Sequence, residues 1–435
     1  MSKKSRTILF LICLFSFFLI APAIIFYSQG YRFDLNPPAG GIKLTQTGGL
    51  FIKAEPKQVE IYIDNELTER TDFLFGSALI ENLLPKKYKI EVKKEGYLIW
   101  EKNLQITERG VTEVKNIVLF PENINLTILT KGVESFWISP DEKKIILLEI
   151  EEDEEDKEGW TLKLYDVERN IKSHLISETD VNQDGANLLN LEFSENSKEI
   201  YLDIEVAKVL PGLMIKNQER TFTLNLDKLP PQLIEKEIIP SPEKIITSKK
   251  YNQDVYYLEN TGYVFKNDLK INETPFPVKT ESEYGLEIFS SFIFLRQDLS
   301  LYSFSPESKS FENFFEKINN LKISPDNKKL VLSSNSEAWI LFLRDEGTKK
   351  AGEKLFLVRL SEKITNVFWL NSDYLILNSG SSLKIVEIDE RDSIQTWDIA
   401  PTQSFNTEVE IYFNRNNKKL YILSKGNLFV SEIIY

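Results

Sequence analysis

The segment Asp180-Val181-Asn182-Gln183-Asp184-Gly185 carries the most pointed chemistry in the chain. Carboxylate and amide oxygens at alternate positions can converge on one hard cation, and the glycine permits the sharp turn between them. On that pattern Asp180, Asn182 and Asp184 are candidate calcium ligands. The template is incomplete. A helix–loop–helix calcium site needs glutamate at the twelfth position, where Leu191 stands with Glu192 one residue late. Other calcium loops often carry aspartate at the ninth, where Leu188 stands. The alternative is a polar connecting loop, in which Asn, Asp and Gly are common.

Other chemistry is scarce. The chain has one histidine, His174, and one cysteine, Cys13. A Ser-His-Asp triad would rest on His174 alone, and no G-x-S-x-G elbow accompanies it. Cys13 lies in an apolar run, so neither Cys-His catalysis nor a disulfide within the chain is available, and His- or Cys-rich zinc sites cannot be assembled. Neither G-x-x-x-x-G-K nor G-x-G-x-x-G occurs. His174 reads as an ordinary surface or half-buried side chain. Asp and Glu total 66, so chance carboxylate pairs are certain and no spacing singles one out. The densest run, Glu149 to Glu158, is expected as a solvated loop because like charges repel; a cation-attracting patch is the alternative.

These side chains must be positioned by strands. From Pro121 onward a repeat recurs: Phe136-Trp-Ile-Ser-Pro-Asp-Glu-Lys-Lys-Ile-Ile, Leu191-Glu-Phe-Ser-Glu-Asn-Ser-Lys-Glu-Ile-Tyr, Leu321-Lys-Ile-Ser-Pro-Asp-Asn-Lys-Lys-Leu-Val and Ile411-Tyr-Phe-Asn-Arg-Asn-Asn-Lys-Lys-Leu-Tyr. A degenerate copy starts at Val367, and two worn ones lie at Asp254–Leu258 and Ser291–Leu295. Each reads strand, tight polar turn, strand: proline sets φ for the bend, and Asp or Asn caps the exposed amides. The equivalent positions Ile323, Trp369 and Phe413 are 46 and 44 residues apart. A four-stranded propeller blade needs about 40–45 residues, so residues 122–435 predict about seven blades. The last copy has three strands, and Asn125–Thr130 is expected to supply the fourth and close the ring. Trp137, Trp160, Trp339, Trp369 and Trp397 are expected in the packing between blades, with a sugar-stacking platform as the alternative. With its Ser-Pro-Asp-x-x-Lys turns, this region resembles the TolB-like or WD40-like propellers of envelope proteins.

Upstream, Val59, Ile61 and Ile63 alternate with polar residues, as do Tyr88, Ile90 and Val92; Glu95-Gly96 breaks the chain before Tyr97–Trp100. Residues 48–121 therefore predict a small all-β sandwich. Gly49-Leu50-Phe51-Ile52, Pro56 before Val59–Asp64, Leu84-Pro85 with Tyr88, and Lys94 with Gly96-Tyr97 and Trp100 resemble the PEGA domain, as does the closing Val118-Leu119-Phe120-Pro121. Lys86 replaces the glycine usual after the proline, and Glu55-Pro56-Lys57-Gln58 stands where the four letters naming the family would be. The resemblance implies a spacer or adhesive role without catalytic residues. Residues 28–47, with Pro37-Pro38 and Gly40-Gly41, read as a linker of little periodicity.

Ile8 to Tyr27 contains no charge and follows Lys3, Lys4 and Arg6. About 20 apolar residues span the hydrocarbon layer, and the basic flank favours the cytoplasmic side. The expectation is a cytoplasmic tail over 1–7, a membrane helix over 8–27, and the rest of the chain outside the cell membrane. A signal peptide cleaved at Ala21-Pro22-Ala23 is the alternative reading. The net charge of −13 speaks against nucleic acid. The resulting expectation is an all-β protein that presents a propeller, without catalysis, to an envelope protein, a peptide or cell-wall glycan. A hydrolase or lyase using carboxylates around the propeller channel is the alternative.

Overall fold

The computed structural model describes residues 3–35, 37, 40–152, 158–182, 185–210, 214–228, 231–236, 244–379, 382–401 and 409–435. The chain is mostly β and divides into two compact units. The first comprises Met1–Asn123, Ile388–Trp397 and Tyr435; the second comprises Ile124–Glu387 and Asp398–Ile434.

The first unit opens with a helix, Lys3–Ser28, interrupted by no charge after Arg6. At 1.5 Å per residue it is about 39 Å long. Its Ser5–Ser28 portion has a mean hydropathy of 2.9 and is not buried by the protein. By length and composition it is able to cross a membrane. The segment expected to be a featureless linker contains a hairpin instead, with Tyr31–Asp34 antiparallel to Lys43–Gln46. Glycines make the turns: Gly30, Gly40 and Gly41 all have positive φ.

The hairpin leads into two facing sheets. One is ordered Ser77–Leu83, Gly48–Glu55, Val111–Val118; the other is ordered Glu66–Arg70, Glu60–Ile63, Lys87–Lys93, Trp100–Gln105. Alternation buries one face of each. Leu50, Ile52, Ile61, Ile90, Val92 and Trp100 are fully buried and form one core with Ile106, Ile117 and Leu119.

Ile388–Trp397 completes this unit from far along the chain. Lys102 has a fully buried side chain whose ammonium donates to the carbonyls of Asp389 (2.5 Å), Arg391 (3.2 Å) and Ser393 (3.0 Å). The Asp389 carboxylate lies 3.9 Å away. Asp392 accepts from the Asn103 backbone N–H (3.0 Å) and amide (2.9 Å), and pairs with Lys87 at 3.0 Å. These donors hold its carboxyl down to about 2. Trp397, expected between blades, packs on the sandwich core instead, and its indole N–H donates to the Ile99 carbonyl at 3.0 Å. Trp397 stands at the start of the strand Thr396–Pro401, where the chain passes from the segment that completes the sandwich to the propeller, so its position in sequence did not reveal which core it joins.

The second unit is a β-propeller. Among the described residues its strands form seven sheets. Blade 1 is Val133–Ile138, Lys144–Glu152, Glu158–Asp166 and Ile171–Ser177. Blade 2 is Ala186–Phe193, Glu199–Leu210, Met214–Asn225 and Leu233–Lys236. Blade 3 is Ile245–Tyr251, Asp254–Glu259, Val264–Lys266 and Leu269–Lys270. Blade 4 is Tyr284–Phe289, Phe292–Gln297, Ser300–Ser305 and Ser310–Phe315. Blade 5 is Asn320–Ile323, Lys329–Ser333, Glu337–Phe342 and Lys354–Arg359. Blade 6 is Ile364–Trp369, Tyr374–Ser379, Ser382–Glu387 and Thr396–Pro401, with Asn123–Ile124 added at its edge. Blade 7 is Glu410–Asn414, Lys419–Ser424 and Asn427–Ser431, completed by Leu126–Lys131.

The repeated turn joins the first two strands of a blade. In blade 1 the Ser139 hydroxyl donates to Asp141 (2.6 Å) and accepts from Lys144 N–H (2.9 Å), while Lys143 N–H donates to Asp141 (3.1 Å). Ser324 with Asp326, and Ser194 with Asn196, repeat the arrangement in blades 5 and 2.

Closure runs as expected from Asn125–Thr130. Leu126–Lys131 is antiparallel to Asn427–Ser431, from Leu126 opposite Ser431 to Lys131 opposite Asn427. Arg415 of blade 7 reinforces it by pairing with Glu142 of blade 1, whose side chain is 6% exposed. Val133, Phe136, Ile145 and Leu147 share a core with Tyr421, Leu423 and Leu428 across the same junction.

Candidate functional site

The first strand of each blade is the inner one, and first strands approach each other between blades 5 and 6 and between blades 6 and 7. Where blades 6, 7 and 1 begin, a cleft of about 690 Å³ opens. Blade 6 contributes Thr365 and Asn366; blade 7 contributes Val409, Glu410 and the Leu423–Gly426 turn; blade 1 contributes Gly132, Val133, Glu134 and Ile150. The backbone ties these pieces together. Val133 N–H donates to the Gly426 carbonyl (3.0 Å), and Ile150 N–H to the Gly132 carbonyl (3.1 Å). Gly132 and Gly426 sit at φ of 75° and 70°, a conformation that favours glycine.

The lining is mixed. Val133, Ile150, Val409 and Leu423 are apolar, while Glu134, Glu410, Lys425, Asn366, Thr365 and Ser424 supply charge and hydrogen-bonding groups. The Glu410 side chain reaches solvent, yet its surroundings desolvate the carboxyl and push it above the usual range.

Behind the cleft the repeat places Trp137, Lys322, Phe368 and Tyr412 at equivalent positions of blades 1, 5, 6 and 7. Lys322 donates to the Asn366 amide oxygen at 2.9 Å, and its ammonium lies 3.9 Å from the centre of the Phe368 ring. Phe368 in turn meets Tyr412 edge to face at 6.1 Å. Burial lowers Lys322 to about 8. Burial also pushes the Tyr412 hydroxyl up, as does the Glu142 carboxylate near it.

The residues singled out in the sequence lie elsewhere. Asp180 sits on a one-turn helix, Glu178–Val181, in the connection from blade 1 to blade 2. Its carboxylate accepts from Ser177 N–H (2.7 Å) and hydroxyl (2.8 Å), which holds its carboxyl down. The Asn182 amide donates to the Gly185 carbonyl at 3.0 Å. Asp184 lies outside the described residues. Among the described residues no cluster of three or more His, Cys, Asp or Glu is arranged to hold a metal. Asp180 and Asn182 thus serve the local turn. His174 is exposed on the outer strand of blade 1, 3.8 Å from Asp180.

The acidic run departs from expectation at its start. Glu149 belongs to a blade strand and its side chain is 7% exposed, pairing with Lys163 (2.8 Å) and Lys172 (2.9 Å). Burial pushes its carboxyl up, but the two lysines outweigh this and hold it down. Residues 153–157 lie outside the described residues.

Sequence reasoning missed Asn366 and Glu410, although a signal existed. Asn320, Asn366 and Glu410 each stand three residues before the matched positions Ile323, Trp369 and Phe413. Polar residues recur there in the first strands of blades 5, 6 and 7.

No family model matches the chain, and no curated protein matches it in sequence. Several solved structures resemble it. YCF48 bound to D1 peptide is 11% identical, with 72% of this chain and 96% of that one covered and a TM-score of 0.38. YCF48 from Cyanidioschyzon merolae is 8% identical, covering 71% and 98% at 0.40. The computationally designed Ika8 protein is 12% identical, covering 89% and 100% at 0.37. At these identities and scores no ligand or activity carries over.

Proposed function

We propose that this chain is a membrane-anchored, extracytoplasmic, non-catalytic protein whose propeller binds a partner polypeptide of the cell envelope. The observation that carries the reading is the cleft of blades 6, 7 and 1, with apolar walls beside separate acidic, basic and amide groups. Such a lining suits a peptide, which offers both apolar side chains and backbone polar groups. Cell-wall glycan is the other partner of suitable polarity. The apolar helix after Arg6 supports anchoring, and the sandwich that precedes the propeller in sequence supports a spacer of the PEGA kind joined to a TolB-like propeller.

The test is capture from envelope extracts by the full chain and by a Glu410→Lys, Asn366→Ala variant. A partner held by the parent and lost from the variant supports the reading. Identical capture by both, or none by either, counts against it. Orientation is tested separately by reporters fused after Tyr435. Activity of a reporter that works only inside the cytoplasm would overturn the external placement.

A second reading is favoured by one observation: Glu134 and Glu410 line the same cleft, with the Glu410 carboxyl raised. Two carboxyl groups in one cleft, one of them holding its proton more readily than the usual carboxylate, are the groups that acid-base hydrolysis uses. Hydrolysis or elimination of envelope glycan by the parent, abolished in Glu410→Gln, would establish it.

A further inference from the structure

We infer that the hairpin Tyr31–Gln46 is a membrane foot, with its apolar face seated in the lipid interface beside the helix; this rests on the reading of Lys3–Ser28 as the anchor.

In the hairpin Phe33 lies opposite Leu44, and Arg32 lies opposite Thr45. Directly opposed residues of an antiparallel pair share a face, and faces alternate along each strand. Tyr31, Phe33 and Leu35 therefore share one face with Leu44 and Ile42. Phe33, Leu35, Ile42 and Leu44 are 68%, 66%, 71% and 41% exposed. Four large apolar side chains on one face of so short a hairpin have no covering element among the described residues.

The opposite face is fastened down. Thr45 is 4% exposed. Arg32 donates to the carbonyls of Tyr27 and Tyr31 and to the Asn82 side chain at 2.9, 2.9 and 2.8 Å, and its guanidinium lies 3.6 Å from the centre of the Tyr27 ring. Thr47 donates from both its N–H and its hydroxyl to the Gly30 carbonyl. The hairpin is thus fixed against the helix end and the sandwich, and its apolar face is presented in one direction.

That direction is set by the helix. Tyr31, on the apolar face, meets Phe26 of the last helical turn edge to face at 5.4 Å. Through this contact the exposed apolar surface of the helix adjoins the face that carries Phe33 and Leu44. Tyr27, Tyr31 and Arg32 at this junction are the residue types that collect at the hydrocarbon–water boundary. A face continuous with the membrane-spanning surface meets lipid, whereas a partner protein would have to reach it from within the headgroup layer.

Phe73, Leu74 and Phe75 are also exposed, at the tip of a loop whose Gly76 approaches the Ala54 carbonyl. Gly48, which follows the hairpin, lies at the other end of the same strand, Gly48–Glu55. The eight-residue strand separates the two ends by about 26 Å, so Phe75 serves as an exposed aromatic remote from the foot.

The experiment uses the full chain, with Cys13→Ser, in vesicles of phosphatidylethanolamine and phosphatidylglycerol. Single cysteines are introduced as Phe33→Cys, Ile42→Cys, Ile20→Cys and Phe75→Cys and labelled with an environment-sensitive fluorophore. Spin labels on lipid, either near the headgroup or deep in the chain, serve as quenchers. The foot predicts strong quenching of the Phe33 and Ile42 labels by the shallow lipid probe, several-fold above that at Phe75, and quenching of the Ile20 label by the deep one. Quenching at Ile20 without quenching at Phe33 and Ile42 would overturn the foot and leave the anchor standing. No quenching at Ile20 would overturn the anchor and the foot together. Shielding of Phe33 and Ile42 that is lost when the protein is diluted in lipid would assign the face to a second copy and overturn the proposal.

Discussion

Replacing Lys102 by alanine should be among the most damaging single changes to the first unit. Its ammonium has no exposure and serves the carbonyls of Asp389, Arg391 and Ser393. Hydrogen bonds from a charged donor contribute about 1.5–3 kcal/mol each. The three do not add in full, because carbonyls released from the cage regain water. Removing one partner of a buried charged network costs roughly 3–5 kcal/mol. Lys102→Met separates the contributions. It fills most of the volume and sheds the desolvation penalty of the ammonium, so its loss should be smaller, about 1–3 kcal/mol. Urea unfolding of the full chain in detergent, followed through Trp100 and Trp397, measures the loss. Hydrogen exchange at residues 389–393 reports the loop directly, and should accelerate in both variants. A loss under about 1 kcal/mol for Lys102→Ala, or unchanged exchange at 389–393, would refute the idea that the ammonium organises this segment.

The same loop should loosen in acid. Asp392 is held below its ordinary 3.8 at about 2, so its contribution is present above pH 3.8 and is lost as pH falls toward 2; exchange at 389–393 that is equal at pH 5 and pH 2.5 would contradict this. Arg415→Ala leaves Glu142 buried without its guanidinium and should destabilise the propeller by about 3–5 kcal/mol, whereas loss of the exposed Arg344 should change it by less than about 0.5 kcal/mol. Deleting residues 123–130 should lower the propeller's melting temperature far more than deleting 151–158, and equal melting temperatures would refute closure by this strand. Millimolar calcium should leave the melting temperature of the full chain unchanged, since Asp180 already serves Ser177; a clear rise would assign Asp180, Asn182 and Asp184 as ligands.

Blades were legible in proportion to how they make their first turn. Ser139, Ser194 and Ser324 close hydroxyl-capped turns that leave a six-residue signature. Blades 3 and 4 turn on two residues instead, with Asn252 and Ser290 at positive φ. Such a hairpin needs no capping serine or aspartate, so its copies look worn. Glu149 was misjudged through its neighbours in sequence. Leu147 and Ile145 are buried two and four residues before it, and the period of two carries it inward with them. The Lys102 cage left no local trace, because its acceptors are backbone carbonyls some 287 residues away and carbonyls have no sequence identity. Asn366 and Glu410 were hidden for a different reason: their meaning depends on which blades become neighbours.

The cage has a consequence in time. At roughly 5–20 residues per second, synthesis needs about 15–60 s to pass from Lys102 to Asp389. Throughout that interval the sandwich exists without its distant segment, and the ammonium that will be sealed remains in water. Leu126–Lys131 waits still longer, since Thr127 meets Val430 across 303 positions. Both early regions are finished by late ones, between Asp389 and Ser431. A chain interrupted anywhere before residue 388 therefore has an open sandwich and an open ring together, and exposes both to proteolysis. Completion of the two units therefore falls in one late window of synthesis, and a chain that has not passed Ser431 lacks a closed ring.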